Sequence, residues 1–389
     1  MEDEGNSPSS TTAQFGKRSK GDDSPQHGFL SRIKHFTWAW NTLTTSTGGI
    51  ALLLSEQPHS FRGLMTVGKV IYIFNIVLFI AICLLLLLRF TLNTGSLTAS
   101  LRHPVESLFF PTFWLSIATI VSGMQRYGVP STGSWLVVAI RILFWLYVAC
   151  SFLVAVLQYY YLFTAKKLTV PSMTPAWILP IFPVTLTGTI ASVTAGYQPP
   201  DHAMAIVVAG LTFQGLGMIV YILMCSQYIA RLMQYGLPAP NLRPGMFIAV
   251  GPPAFTSLAL IGMARAIPDK ISYFGDHATA KEALSIMATV TAIFIWSLSF
   301  WWFSICSISC IACAKEMSFH LSWWAFVFPN TGFTIATIEI GIILQSQGIL
   351  WLTTAMSIGL VAMWCFVFPM HIRALWQKQI LWEGKDEDL

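Results

Sequence analysis

The chain has 389 residues, of which 55% are apolar and only 10% charged; a soluble globular chain carries about 25% charged residues. At this length a water-soluble fold has too few charges to cover its surface, so the composition excludes a soluble globule and points to a membrane-embedded bundle. The formal net charge of +5, with no basic stripe on a polar domain, gives no footing for nucleic acid.

Residues 1–31 are polar and lack the apolar core of a signal peptide. They are expected to form a disordered cytoplasmic tail, with Ser7, Ser9 and Ser10 open to phosphorylation. A spanning helix needs about 20 mostly apolar residues. Ten candidates follow in chain order: 35–54, 67–90, 105–127, 134–164, 175–197, 202–229, 244–266, 282–312, 322–345 and 348–371. They fill a transport-sized domain over 32–373, and 374–389 is a short polar tail. An even count puts both termini on one side. Fifteen of the 22 Lys and Arg residues then fall on that side, six on the other, and Arg141 within the fourth span. The basic bias makes the terminal side cytoplasmic.

The odd spans differ from the even ones. Span 1 carries Gly48 and Gly49, span 3 Pro111, span 5 Pro180 and Pro183, span 7 Pro252 and Pro253, and span 9 Pro329. Spans 2, 4, 6 and 8 contain no proline, and span 10 has only Pro369 near its end. Proline removes a backbone donor and breaks the helix ladder, which lipid does not forgive but a protein interior or wet cavity does. The alternation predicts five hairpins, with broken odd helices lining a central pore and intact even helices outside. Hydroxyls on the odd spans are candidate pore contacts: Thr44, Thr47, Thr119, Thr185, Thr187, Thr331 and Thr334.

Arg141 and Glu339 are the two ionisable residues well inside predicted spans, where such groups are costly and rarely face lipid. Two roles stay open for them: locking helices, by pairing with each other or with backbone groups, or contacting a substrate directly. Arg265 closes span 7 on the same side, as a snorkelling interface residue or as a draw for carboxylates. All eight histidines lie in the tail, in loops or near span ends. The seven cysteines sit in apolar segments and read as packing residues, including Cys306, Cys310 and Cys313 on one helical face. No metal, cofactor or catalytic constellation is implied, and the titratable inventory favours potential-driven movement over a built-in proton wire.

The runs KHFTWAW (34–40), SMTPAWILPIFPVTLTG (172–188), FQGLG (213–217), RPGMFIAVGPPAF (243–255), WWAFVFPNTGFTIATIEIG (323–341) and GKDED (384–388) resemble the fungal malic acid permeases. Those belong to the tellurite-resistance/dicarboxylate transporter family, with plant slow anion channels as more distant relatives. The resemblance implies ten helices in five hairpins around a pore, a homotrimer in the plasma membrane, and C4-dicarboxylates such as malate, succinate and fumarate as cargo. Sulfite efflux is the alternative within the same superfamily. It also implies a phenylalanine plug on the ninth helix, which matches Phe328, or Phe326 if the register differs. Arg141 and Arg265 are the expected carboxylate partners, with Glu339 beside them.

Overall fold

The computed structural model describes residues 32–164, 169–268 and 279–382. The expected N-terminal tail and the GKDED run lie outside these residues. Among the described residues the chain is all-helical, with ten helices of 13 residues or more: α1 (Asn41–Ser55), α2 (Leu64–Leu92), α3 (Pro111–Gly123), α4 (Ser134–Thr164), α5 (Phe182–Thr194), α6 (Pro200–Tyr235), α7 (Gly251–Ala266), α8 (Ala280–Ala312), α9 (Phe328–Ile343) and α10 (Gln347–Trp376). By length and composition, eight segments of the described chain are fit to cross a membrane. The segments holding α1 and α5 are not among them, which differs from the expectation of ten.

Each odd helix is short, 13 to 16 residues, and each is preceded by a tighter 3-10 lead-in. The lead-ins are Trp38–Trp40, Glu106–Phe109, Pro175–Ile178, Pro240–Val250 and Leu321–Phe326. Proline explains the junctions. Pro111 opens α3, Pro183 and Pro329 are the second residues of α5 and α9, and Pro252 and Pro253 follow Gly251 at the start of α7. Proline suits the first turn, where its missing N–H has no intrahelical partner. The same ring bars an α-helix from continuing backwards through that point. The prolines therefore start helices rather than kink long ones, and Pro180 sits in the turn before α5.

Gly48 and Gly49 need a correction of another kind, because α1 runs through them unbroken. They are there for close approach. A Cβ on Gly48 would stand 2.3 Å from the Thr119 hydroxyl of α3, and one on Gly49 would stand 2.8 Å from the Thr331 hydroxyl of α9.

The even helices run 29 to 36 residues. Only 11% to 39% of their most apolar stretches is buried, against 61%, 78% and 83% for the segments holding α3, α7 and α9. The odd helices touch one another in a closed cycle: α1 with α3, α3 with α5, α5 with α7, α7 with α9, and α9 with α1. The even helices pack on members of that cycle. Arg89 of α2 donates to Glu106 and to the Phe36 carbonyl, tying α2 to two lead-in regions. That pair is almost buried, so removing either partner would strand a charge.

Candidate functional site

Two cavities lie at opposite ends of the odd helices. The larger, about 400 Å³, is lined by the N-terminal ends and lead-ins: Thr42, Thr45 and Ser46 of α1, Thr112 of α3, Phe182 at the start of α5, and Phe328 at the start of α9. The smaller, about 270 Å³, is lined by the C-terminal ends: Leu52, Ser122, Thr189, Leu258 and Ile335 among others. The five odd helices are therefore parallel. Their N-termini, which carry the positive end of the helix dipole, gather round the larger cavity.

Between the cavities the path narrows to a void of about 20 Å³ lined by Gly49, Thr119, Thr189, Phe255, Phe328 and Thr331 among others. Phe255 and Phe328 line it, and Phe182 packs against both. The Phe255 and Phe328 rings stack with centroids 5.1 Å apart, Phe182 and Phe328 are 5.8 Å apart, and Phe182 and Phe255 are 5.9 Å apart. Each ring rests on a glycine of the next odd helix: Phe182 on Gly251, Phe255 on Gly332 and Phe328 on Gly49. A Cβ at Gly251 would stand 2.3 Å from the Phe182 ring, and one at Gly332 would stand 2.6 Å from that of Phe255. Phe326, the alternative plug, lies in the lead-in against Phe247 and Trp323 and lines none of these spaces.

The threonines divide. Thr119 and Thr331 line the central void. Thr44 donates to the Asn41 carbonyl and bonds Ser116 of α3 at 2.7 Å, while Thr47 donates to Leu43 and accepts from the Trp364 indole. Thr185 and Thr334 donate one turn back along their own helices. The Thr187 hydroxyl is buried with no hydrogen-bond partner. None of these five lines a cavity. The face of α1 that lines these spaces is instead Thr42, Thr45, Ser46, Gly49 and Leu52, continued by Glu56 just past the helix, with steps of three or four residues apart from the adjacent Thr45 and Ser46. That stripe lies on roughly the opposite side of the helix from Thr44 and Thr47.

The charges also sort. Arg265 reaches Glu339 at 2.7 Å, so Glu339 pairs with Arg265 and not with Arg141. Both line the smaller cavity. Arg141 sits half-buried on α4 and lines none of the three spaces, because α4 lies outside the cycle of odd helices. Two residues that the sequence offers no reason to single out join the smaller cavity: Glu56, just past α1, and Arg126, at the end of the third predicted span, which ion-pairs with it. Arg126 stands on a π-helical turn, Met124–Gly128, that extends α3; such turns recur at functional sites. Among the described residues Arg231 is the one charged side chain on the larger cavity, and it donates to the Gly236 carbonyl.

No cluster of His, Cys, Asp and Glu suited to a metal is found among the described residues. The arrangement suits passage of a small anion. Hydroxyls, helix N-termini and a few guanidinium groups offset part of the cost of leaving water without forming a deep trap.

Residues 35–372 match the voltage-dependent anion channel family. A malic acid transport protein of Schizosaccharomyces pombe is 38% identical over 94% of this chain and 84% of that protein. A putative malic acid transport protein of the same yeast is 36% identical, covering 94% of this chain and 85% of its own length. A sulfite efflux pump of Trichophyton rubrum is 26% identical over 87% of this chain and 91% of that protein.

Proposed function

This chain belongs to the voltage-dependent anion channel family, and from that premise we propose that it moves C4-dicarboxylates, malate foremost, through a path held shut by Phe328. The observation that carries the reading is the pair of cavities at opposite ends of the odd helices, with the ring cluster of Phe182, Phe255 and Phe328 between them. Two vestibules with a narrow apolar neck are what a gated conduit requires, since a dry constriction stops an ion that wide, wet ends admit. Similarity to the two malic acid transport proteins favours a diacid, and the weaker similarity to sulfite efflux pumps makes sulfite the second reading.

The same proposal takes all ten helices as spans in five hairpins, odd members inside and even members against lipid. α1 and α5 fall short of a lipid-facing helix in apolar length because their neighbours are protein. The basic bias supports cytoplasmic termini, which places the larger cavity on the cytoplasmic side and the smaller one outside. A plasma-membrane homotrimer with one path per protomer completes the reading, on the strength of the family resemblance. Movement is driven by membrane potential and concentration.

Purified protein in liposomes tests this directly. Labelled malate should cross, with succinate and fumarate competing, and sulfite and chloride competing weakly. Transport of sulfite in preference to malate would reverse the order of the two readings, and transport of neither would defeat both.

A further inference from the structure

The smaller cavity gathers four charges from three helix ends and the segment after α1: Glu56, Arg126, Arg265 and Glu339. They form two ion pairs, Glu56 with Arg126 and Glu339 with Arg265, so the group is electrically balanced. Each arginine is engaged through a single amino group, Nη2. A guanidinium has five donors in a fixed fork, so both keep free donors. The Arg265 side chain is 58% exposed, and the Nε of Arg126 is buried without a partner.

We propose that Arg126 and Arg265 together form an outer clamp for the two carboxylates of one diacid, with Glu56 and Glu339 as positioning residues that hold the guanidinium groups and limit how tightly the dianion is kept. This deepens the dicarboxylate reading above and rests on it. A carboxylate accepts a forked pair of N–H bonds from arginine without displacing a partner on the other edge. Once one carboxylate is held, binding of the second is intramolecular, and its effective concentration is high. A monocarboxylate gains only the first contact. The clamp therefore discriminates by the number of carboxylates, which no single arginine achieves.

The bland account is that each arginine offsets the negative end of the helix it closes. That account explains one cation per helix end. It does not explain why both cations face one cavity with unused donors. The two glutamates fit the clamp, because a bare pair of arginines would bind a dianion too tightly to release it.

The test measures half-saturation for malate and for lactate, each applied from the cavity side, in reconstituted wild-type, Arg126→Gln, Arg265→Gln and Glu339→Gln protein. Either arginine variant should raise the malate value about tenfold and the lactate value by no more than about twofold. Glu339→Gln should lower the malate value severalfold and slow maximal flux. If Arg265→Gln fails to reach a monodisperse state, Arg265→Lys replaces it; a point charge cannot make the fork, so malate should still lose its advantage. Equal shifts for malate and lactate, or no shift in well-folded variants, would overturn the clamp. Wild-type protein that carries no malate at all would instead defeat the reading it rests on.

Discussion

The inner and outer helices are built from similar apolar residues yet obey different rules. An outer helix such as α8 runs 33 residues and leaves Phe294, Ile308 and Ile311 more than two-thirds exposed. An inner helix such as α9 has 16 residues, starts on a proline-bearing turn and buries all but its last two. Lipid asks a helix only to be long, apolar and internally hydrogen-bonded. The interior asks for shape: glycines under phenylalanines, hydroxyls tied to the preceding turn, and helix ends aimed at a cavity. The difference teaches that apolarity marks the lipid-facing half of this fold, and its interruptions mark the working half.

The sharpest break in the comparison comes at the neck. Phe328→Ala should raise malate flux about tenfold, measured as uptake into liposomes at matched protein amounts, whereas Phe294→Ala on the lipid side of α8 should leave it unchanged. Wild-type flux in the Phe328 variant would remove its gating role.

Glycines give the next largest contrast. Gly251→Ala and Gly332→Ala force a methyl against a ring at 2.3 and 2.6 Å, respectively. Overpacking of this kind costs about 1–3 kcal/mol, read as a lowered Tm. Gly215 of α6 and Gly359 of α10 have open space around them. Alanine there should be neutral or stabilising by up to about 1 kcal/mol, the difference in helix propensity.

A smaller effect concerns pH. Burial raises the Glu56 pKa above its usual value of 4.5, while Arg126 lowers it, Glu339 raises it and Arg265 lowers it. Tyr127, which donates to the Ala51 carbonyl, is a further titratable neighbour, and Tyr197 lines the same cavity. Glu56 thus takes up a proton earlier than an ordinary glutamate as the cavity side is acidified. The balanced quartet then gains one net positive charge, so half-saturation for malate should fall. Glu56→Gln should lack that part of the pH response, and an identical response in both proteins would exclude Glu56 as its source. The smallest expected effect is Ile308→Val, within about 0.5 kcal/mol in thermal unfolding.

The sequence made the outer helices easy to read. The range 134–164 coincides with α4, and 282–312 falls two residues short of the start of α8. Length and unbroken apolarity are local signals that need no neighbour. The odd set is legible through its prolines, but at Gly48 and Gly49 the demand is contact with α3 and α9 rather than a bend. Which threonines line the cavities depends on the same contacts. The stripe through Thr42, Thr45, Ser46, Gly49, Leu52 and Glu56 was present as a helical period. Nothing in α1 alone says which face meets the cavity, because nearly all of its faces are buried. Glu56 lies past the first predicted span and Arg126 at the end of the third, and only the parallel packing of α1, α3, α7 and α9 brings them beside Arg265 and Glu339. Arg141 drew notice for its place mid-span, yet α4 keeps it off the path.

Thiol accessibility is the most direct trial of a wet path interrupted by one neck. With the seven native cysteines replaced, Thr42→Cys and Ser192→Cys are each exposed to a charged, membrane-impermeant reagent from either face. The account predicts labelling of Thr42→Cys from one face only and of Ser192→Cys from the opposite face only, with Phe328→Ala opening both positions to both faces. Cysteines that resist the charged reagent from either side, while reacting with a lipid-soluble one, would contradict it.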